Sequence, residues 1–332
     1  MTLAVFRSAA EWRERFGADP RGSAITIGNF DGVHLGHSEI IDRLVERSSR
    51  ANLRSTVVTF DPHPLRVLRP NDAPALLLTL EQRLEEIGRR PVEAALVLRF
   101  DAALASLSAR EFVEDIVVHT LRTKAILVGE NFRFGHRGAG DVSMLREFGS
   151  EFGFAVECID PVVCRGEVVS SSAIRRAVSE GRVIDALRFL GRPYSLAGEI
   201  QSGTGLGRRA VVPTLNLRTA QELMPKMGVY ATDVRVDVRT FRAVTNVGMR
   251  PTFDGKALTV ESHLFDFDEQ ITSGAMDVRF WARLRDEMKF SGAEALRGQI
   301  FLDIAKGRRF FRLADRSTII GGSAGRKQAV RG

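Results

Sequence analysis

Short apolar runs alternate with amphipathic segments along the first half of the chain. The runs favour β-strands at 24–27, 55–60, 94–97, 125–128 and 155–159. Apolar residues at a helical period fall between them, at 38–50, 80–87, 109–121 and 143–152. Strands and helices that alternate in this order form parallel sheets, so the pattern predicts a doubly wound α/β domain. Two further helices are predicted at 171–178 and 183–190.

The pattern changes after a break at Gly191-Arg192-Pro193. The apolar runs become short and turn residues frequent, with strands predicted at 194–200, 228–238, 241–247, 258–265 and 276–281. This pattern predicts a small antiparallel β-barrel or sandwich, closed by one helix at 292–306. We therefore expect a first domain over 1–186, a second over 187–314, and a disordered tail over 315–332.

The composition is that of a soluble globular protein. The chain has 332 residues, 44% of them hydrophobic and 27% charged, which suits two ordinary domains. No apolar run reaches the roughly 18 residues of a membrane span, and no signal peptide is visible. The two cysteines, Cys158 and Cys164, build neither a disulfide framework nor a metal site. We expect a cytoplasmic protein that has no membrane partner.

The net charge of +7 points to anionic partners. The positive side chains are spread along the chain, without the clustered patch that is diagnostic of nucleic-acid binding. A charge of this kind also steers small anions to a site, so small phosphorylated molecules are favoured over nucleic acid. A transient homo-oligomer stays open at this point.

The segment ITIGNFDGVHLGH, residues 25–37, joins a predicted strand to a helix through a glycine-rich turn. Its three glycines would let the backbone approach an anion, and the helix start offers unpaired N–H groups. His34 and His37 are about one helical turn apart and can point at one ligand. Two imidazoles there suit a triphosphate whose α-phosphoryl group gains charge during transfer. A structural turn with a polar helix cap is the alternative interpretation.

Two segments after later strands carry further binding candidates. In VTFDPHPLRVLRP, Asp61 and His63 either reach a bound nucleotide or form a proline-stiffened polar turn. In VGENFRFGHRGAG, Gly129 and Asn131 can meet a base or ribose, and the two phenylalanines can stack on a ring. The alternative for this second segment is aromatic core next to a glycine loop.

Two more segments place hydroxyl and amide groups where a phosphate could bind. In VVSSSAIRRAVSEG, Ser170–Ser172 open a helix and Arg175 follows one turn later, which makes either a helix cap or a phosphate clamp. In GTGLGRRAVVPTLNL, Thr214 and Asn216 lie two residues apart on one face of a predicted strand, so both can reach one Mg²⁺ or phosphate group. A hairpin loop that enters a strand is the alternative.

The segments of the first half, in this order, resemble the FMN adenylyltransferase module of the bacterial bifunctional riboflavin kinase/FAD synthetase family. Residues 25–37 resemble the H-x-G-H signature of nucleotidyltransferases, and the resemblance extends to Pro193. It implies a Rossmann-like domain that transfers AMP from ATP to FMN, giving FAD and pyrophosphate, with His34, His37 and Arg175 as catalytic residues. It also implies an ATP/FMN site formed by Gly28, Asn29, Phe30, Asp31, Gly32, Asp61, His63, Gly129, Asn131, Ser171 and Ser172.

Three segments of the second half resemble the riboflavin kinase module of the same family: GTGLGRRAVVPTLNL, TNVGMRPTFDG and TVESHLFDFD. The stretch RLRDEMKFSGAEALRGQIFLDI resembles its C-terminal helix region. The resemblance implies a six-stranded barrel that phosphorylates riboflavin with ATP, with Glu261 as the catalytic base and Thr214 and Asn216 as ligands of Mg²⁺, which both reactions need. It places the ATP and flavin site at Gly203, Gly205, Gly207, Pro213, Thr214, Asn216 and Thr252.

The kinase half departs from the family pattern in two places. Ala210-Val211 stands where the family has Leu-Gly, and Gln270–Gly274 stands where it has D-L-Y-G. Two alternatives therefore stay open: an FAD synthetase with weak or lost kinase activity, and a flavin- or RNA-binding regulator. The retained histidines and Glu261 speak against the regulator. A different nucleotidyltransferase is disfavoured because such enzymes need no barrel.

Overall fold

The computed structural model of the protein describes residues 2–201, 212–252, 255–269 and 271–316, with the backbone alone at 250–252 and 255–257. Within it the chain divides into two units, Met1–Ala173 and Ile174–Gly332. The predicted boundary after residue 186 lies further along the chain than this division.

A parallel sheet forms the centre of the first unit. Its strands are β1 (Ala4–Phe6), β2 (Ser23–Ile27), β3 (Arg54–Asp61), β4 (Ala94–Arg99), β5 (Thr123–Gly129) and β6 (Ala155–Ile159). They pair in the order β1-β4-β3-β2-β5-β6. Every residue of β2 is buried, as expected for a parallel sheet that is covered on both faces. The predicted α/β fold with a parallel sheet is confirmed.

Helices connect these strands and cover the sheet. They are α1 (Ala9–Phe16), α2 (Leu35–Ala51), α3 (Pro64–Leu68), α4 (Leu80–Gly88), α5 (Ala102–Ser106), α6 (Ala109–Phe112) and α7 (Val142–Phe152). Residues Val113–Thr120 continue α6 as a π-helix. The loops contain two 3₁₀ turns, Pro70–Asp72 and His136–Gly138, and a hairpin formed by β7 (Val163–Cys164) and β8 (Glu167–Val168).

Two helices link the parallel sheet to the rest of the chain. They are α8 (Ser171–Ser179) and α9 (Val183–Leu190). The division between the units falls inside α8, and the predicted boundary after residue 186 falls inside α9. Both helices match their sequence-based prediction to within one residue.

Six antiparallel strands close into a barrel in the second unit. They are β9 (Tyr194–Gln201), β10 (Leu215–Arg218), β11 (Gly228–Val236), β12 (Arg239–Thr252), β13 (Gly255–Leu264) and β14 (Ala275–Arg285). They pair around the barrel in the order β10-β13-β12-β11-β14-β9. The predicted barrel and its strand number are confirmed. α9 packs against β9 and β14.

Buried hydroxyl groups run through the inside of the barrel. The Oγ1 atom of Thr245 lies 2.7 Å from that of Thr232 and 2.8 Å from the Oγ atom of Ser262. All three residues are completely buried. Each hydroxyl therefore finds a partner where water has no access, which removes the cost of burying it unpaired.

A long helix, α10 (Ala293–Arg316), packs on the outside of the barrel. Phe311 of the helix joins Val229 and Val244 of the barrel wall in one apolar cluster. A Cβ on Gly307 would lie 2.6 Å from a methyl group of Val244, so this close approach requires glycine. The helix runs on to Arg316, two residues into the predicted tail, and residues 317–332 lie outside the described part of the chain.

Each unit contains one of the two tryptophans. Trp12 is buried in the first unit and packs edge-on against Phe6 and Phe16. Trp281 lies on the barrel wall, where its ring N–H donates to the carboxylate of Asp233 over 2.8 Å. None of the described helices is both long and apolar enough to cross a membrane.

Candidate active sites

The two predicted histidines meet at the start of α2. His34 is the N-cap of this helix, and its Nδ1 accepts a hydrogen bond from the backbone N–H of His37 over 3.3 Å. The two rings stack with centroids 3.6 Å apart and planes within 16° of parallel. Both imidazoles therefore lie at a helix N-terminus, where the helix dipole favours an anion.

The turn that carries these histidines has an unusual backbone. Phe30, Gly32 and Val33 have positive φ angles of 49°, 85° and 39°. The ring of Phe30 is buried and packs edge-on against His37 at 5.1 Å. A Cβ on Gly28 would lie 3.3 Å from the ring of Phe30. The glycines of this turn thus make room for its own aromatic rings as well as for any ligand.

Asp31 connects this turn by hydrogen bonds to two other segments of the first unit. Its buried carboxylate accepts hydrogen bonds from the backbone N–H groups of Leu77 and Leu78 at 3.0–3.3 Å. Its carbonyl oxygen accepts from the hydroxyl of Ser171 at 2.8 Å. Both predicted binding residues, Asp31 and Ser171, make structural contacts here, and a direct contact of either with a ligand stays a prediction.

The other predicted residues of the first half lie after strand ends or on α8. Those at strand ends are Asp61, His63, Gly129 and Asn131. His63 is buried and caps α3, whereas Asn131 is exposed. Ser172 is exposed in the first turn of α8, and Arg175, one turn later, belongs to the second unit.

The turn that carries His34 and His37 is called the histidine turn. A cavity of about 270 Å³ with mainly aromatic walls, the aromatic cavity, lies beside it. Gly28 and Asn29 line it together with Phe60, Phe100, Leu104, Phe112, Phe132, Arg133, Phe134 and Arg137. The rings of Phe132 and Phe134 stack 5.5 Å apart. The sequence predicts that Phe132 and Phe134 can stack on a ring, because both lie in one motif after the same strand. It gives no signal for Phe60 and Phe100, which come from different strands.

Glu261 lies on the outer wall of the barrel between two asparagines. The strand register pairs it with Asn216 of β10 on one side and with Asn246 of β12 on the other. Residues that are paired directly face the same side of a sheet, so the three side chains form one row. A cavity of about 390 Å³ separates this wall from α10, and it is lined by Thr214, Asn246, Glu261, His263, Arg285, Glu287, Phe290 and Asp303, among others.

Several residues of this second cavity were not predicted. Glu287 brings a second carboxylate, and a Cβ on Gly248 would lie only 2.7 Å from its Oε1. The guanidinium of Arg285 donates to the buried carboxylate of Asp303 at 2.7–3.0 Å. No local pattern distinguishes these residues, since each depends on a partner from another element.

The segment before β10 is held beside Glu261. The Nδ1 atom of His263 lies 3.0 Å from the carbonyl oxygen of Pro213, which precedes Thr214. Thr252 lies on β12, where its backbone pairs with Gly255. The predicted phosphate loop at Gly203, Gly205 and Gly207, the pair Ala210-Val211 and also Gln270 lie outside the described residues.

The described residues contain no group of three or more His, Cys, Asp or Glu side chains arranged to hold a metal ion. Thr214 and Asn216 offer oxygen atoms, which suit a hard cation such as Mg²⁺. A Mg²⁺ ion that keeps several water molecules and binds phosphate oxygens needs only one or two protein ligands. The donor set at this wall therefore fits Mg²⁺ that is bound together with a nucleotide.

Comparison with known proteins identifies both halves. The FAD synthetase family model matches residues 17–173, and the riboflavin kinase family model matches residues 190–311. A solved structure from Streptococcus pneumoniae, described as a macrolide-efflux protein, superposes with a TM-score of 0.83 at 29% identity, covering 93% of this chain and 99% of that chain.

Two curated relatives carry both halves in one chain. The bifunctional riboflavin kinase/FMN adenylyltransferase of Haemophilus influenzae is 35% identical over 88% of this chain and 95% of its own length. The protein of the same description from Pseudomonas fluorescens is 39% identical over 87% of this chain and 93% of its own length. The chain therefore belongs to the bifunctional riboflavin kinase/FMN adenylyltransferase family.

Proposed function

We propose that riboflavin is phosphorylated in the barrel cavity and that FMN is adenylylated at the histidine turn. The chain is an ATP-using riboflavin kinase and FMN adenylyltransferase. The observation that carries the residue assignment is the row of Asn216, Glu261 and Asn246, of which Glu261 and Asn246 line the barrel cavity. A carboxylate between two amides, at the edge of a cavity, is placed to take a proton from a bound hydroxyl group.

At the barrel, Glu261 accepts the proton of the ribityl 5′-hydroxyl as its oxygen attacks the γ-phosphorus of ATP. The new O–P bond forms while the bond to the β-phosphate oxygen breaks, so FMN and ADP are the products. Thr214 and Asn216 would hold Mg²⁺ and the nucleotide phosphates. When bound, the ion neutralises the charge of the phosphate oxygens.

At the histidine turn, the nucleophile is the phosphate of FMN, which is already an anion. It attacks the α-phosphorus of ATP, and pyrophosphate leaves as FAD forms. This step needs positioning and charge stabilisation more than a base. His34, His37 and the N-terminus of α2 supply them, and we assign Arg175 to the same task.

The aromatic cavity beside the turn suits the flavin ring of FMN. Its walls carry Phe60, Phe100 and the stacked pair Phe132 and Phe134, and aromatic faces bind a flat heterocycle by stacking. Arg133 and Arg137 line the same cavity and offer positive charge to the phosphate end of FMN.

Both cysteines, Cys158 and Cys164, are free thiols in the structure. Burial raises the pKa of the Cys158 thiol above its ordinary value, which lowers its reactivity. Free thiols persist in a reducing compartment, so we place the enzyme in the cytoplasm.

Replacement of Glu261 by glutamine tests the assignment at the barrel. The amide keeps the size of the side chain but cannot take up a proton. We expect Glu261→Gln to slow the formation of FMN from riboflavin by about 10²–10⁴-fold, the usual contribution of a general base. The formation of FAD from supplied FMN should continue at its normal rate. Both rates are measured on one preparation by chromatography of riboflavin, FMN and FAD.

A surface carboxylate provides the matched control. Glu269 is exposed and pairs with Arg239 outside the cavity, so Glu269→Gln removes the same charge without touching the site. It should leave both rates unchanged. If Glu261→Gln lowers both rates together, Glu261 has a structural role, and if it lowers neither, the assignment of the base is wrong.

A further inference from the structure

Arg83 of α4 is buried behind the turn that follows β2. Only 3% of its surface is exposed, which is rare for a guanidinium group. Its Nη1 donates to the carbonyl oxygen of Asn29 at 2.7 Å, and to the hydroxyl of Thr59 and the carbonyl oxygen of Phe60 at 3.2 Å each. Its Nε atom is also buried and has no partner among the described residues.

These three acceptors belong to a loop and to a neighbouring strand. Asn29 follows β2, whereas Thr59 and Phe60 lie at the end of β3. The hydroxyl of Thr59 also donates to the carbonyl oxygen of Asn29 at 3.3 Å. Arg83 and Thr59 therefore link the backbone of the loop after β2 directly to the end of β3.

Burial lowers the pKa of the Arg83 guanidinium, while the carboxylates of Asp31 and Asp61 act in the opposite direction. An arginine stays protonated at any pH at which proteins fold, so a full positive charge is kept here. Burying such a charge costs free energy unless hydrogen bonds and opposite charges compensate for the lost water. Its three acceptors and two nearby carboxylates do so.

The loop after β2 and the end of β3, which Arg83 joins, also line the aromatic cavity. Asn29 and Phe60 line that cavity, while their carbonyl oxygens accept from Arg83. The position of Arg83 is fixed in turn by the start of α4, where Thr79 and Gln82 form a capping box. Arg83 is thus placed to hold Asn29 against the end of β3 on this side of the cavity.

We propose that Arg83 is a positioning residue for FMN adenylylation, which holds Asn29, in the loop after β2, and Phe60, at the end of β3, in the positions that binding of the flavin ring requires. The proposal rests on the proposed function, in which the aromatic cavity receives FMN. Arg83 itself contacts no substrate in this account. It acts through the backbone of Asn29 and Phe60.

Arg83→Met in the full-length enzyme tests this role, because methionine fills much of the space but donates no hydrogen bond. We expect the KM for FMN in FAD formation to rise about 10- to 100-fold, since a misplacement of about 1 Å can cost that much. The KM for ATP and kcat should change much less. Arg83→Lys, which restores a charge and donors, should recover part of the loss. Riboflavin phosphorylation by the same preparation should be unchanged.

Two comparison variants make the result specific. Arg89 is an exposed arginine directly after α4 that pairs with Glu85 and Glu86, so Arg89→Met should leave every parameter unchanged. A purely structural role for Arg83 would lower the fraction of active enzyme: kcat would fall, with KM for FMN unchanged and no partial rescue by lysine. That result would overturn the proposal. Thr59→Val removes only the central hydroxyl and should raise the KM for FMN to a smaller extent.

Phe132→Ala separates this proposal from the function on which it rests. If Phe132→Ala leaves the KM for FMN unchanged, the cavity does not bind the flavin and the proposed function fails. If Phe132→Ala raises that KM but Arg83→Met and Thr59→Val do not, the role of Arg83 is refuted while the cavity assignment stands. If Arg83→Met does not fold, the test uses Arg83→Lys and Thr59→Val instead. An unchanged KM for FMN in both of these variants refutes the positioning role of Arg83.

Discussion

His34 combines two roles in a single side chain. Its ring accepts the hydrogen bond that caps α2, and the same ring stacks on His37. Replacement of a capping residue by alanine typically costs about 1 kcal/mol of stability. Alanine at this position would therefore remove a helix cap and an imidazole together, and any loss of activity would have two causes.

Asparagine at position 34 distinguishes these causes, because it caps helices well but carries no imidazole. We expect His34→Asn and His37→Ala each to lower FAD formation by about 10²–10³-fold, the usual cost of losing one group that stabilises the transition state. The thermal stability of His34→Asn should stay close to that of the natural enzyme. Rates of FAD formation from FMN and melting curves are the two measurements.

Riboflavin phosphorylation is the internal control for both variants and should not change. Near-normal FAD synthesis by the double variant His34→Asn/His37→Ala would show that the two histidines do not stabilise the transition state. The helix N-terminus and arginines would then have to supply the stabilisation alone.

The sequence predicts well which side chains lie together when they are close along the chain. His34 and His37 lie three residues apart, so the spacing alone brings them together. Arg83 was missed because its acceptors are 23 to 54 positions away in the sequence. The carboxylate of Asp31, predicted to bind a ligand, accepts hydrogen bonds from backbone N–H groups 46 and 47 positions away. Contacts of this kind depend on the tertiary fold, and no spacing rule reveals them.

At the level of elements, the barrel shows how polar residues can belong to a core. The strands β11, β12 and β13 contribute Thr232, Thr245 and Ser262, whose hydroxyls pair across the interior. Alternation then places their neighbours Asn246 and Glu261 on the outer wall of the barrel. The buried hydroxyl row and the row that contains Asn246 and Glu261 thus lie on opposite faces of the same strands.

Replacement of the central hydroxyl tests how much this row stabilises the barrel. Thr245→Val keeps the shape of the side chain but leaves two buried hydroxyls without this partner. It should lower the free energy of unfolding of the barrel by about 1–3 kcal/mol. The measurement is the urea concentration at which riboflavin phosphorylation is half lost after equilibration.

Thr240→Val is the matched control, since Thr240 is exposed on the same strand β12. A surface change of this type normally alters the free energy of unfolding by less than about 0.5 kcal/mol. Equal effects of the two variants would show that the hydroxyl row contributes nothing specific.

Most elements were predicted from hydrophobic periodicity, and the misses have physical reasons. β1 has three residues, too few for alternation to be visible. The helical pattern at 109–121 does not distinguish an α-helix from the π-helix that begins at Val113, because the two differ in hydrogen bonding rather than in polarity. α10 extends ten residues beyond the predicted end at residue 306, where the frequent arginines hide its periodicity.

At the scale of the whole molecule, the position of the boundary between the halves decides to which half the linking helices belong. The break in the sequence at Gly191 marks the end of α9, which the predicted boundary after residue 186 divides between the two halves. In the structure α9 packs on β9 and β14 of the barrel, and the division of the chain falls after Ala173. A sequence pattern shows where helices give way to strands, but not on which core a helix is buried.

Two fragments test this view of the kinase half. We expect 174–332 to be soluble and to phosphorylate riboflavin as fast as the full chain. A fragment 188–332 lacks the buried side chains of Val183 and Ala186, together with all of α8. Burial of one Val-sized side chain contributes about 1.5–3 kcal/mol, so the shorter fragment should be markedly less stable.

The comparison uses the yield of soluble protein, the unfolding midpoint and the rate of FMN formation. Equal stability of the two fragments would show that α8 and the first part of α9 contribute nothing to the kinase core. A folded but inactive 174–332 fragment would mean that the kinase site depends on the first unit.

The placement of the two tryptophans gives each half its own optical signal. Trp12 emits from the core of the first unit and Trp281 from the barrel wall. Flavins absorb in the region where tryptophan emits, so a flavin bound in one half can quench the indole of that half by energy transfer. With one tryptophan replaced by phenylalanine at a time, the emission of the other follows flavin occupancy of its own half. The passage of FMN from the site where it is made to the site where it is consumed thereby becomes visible in real time, without an added dye.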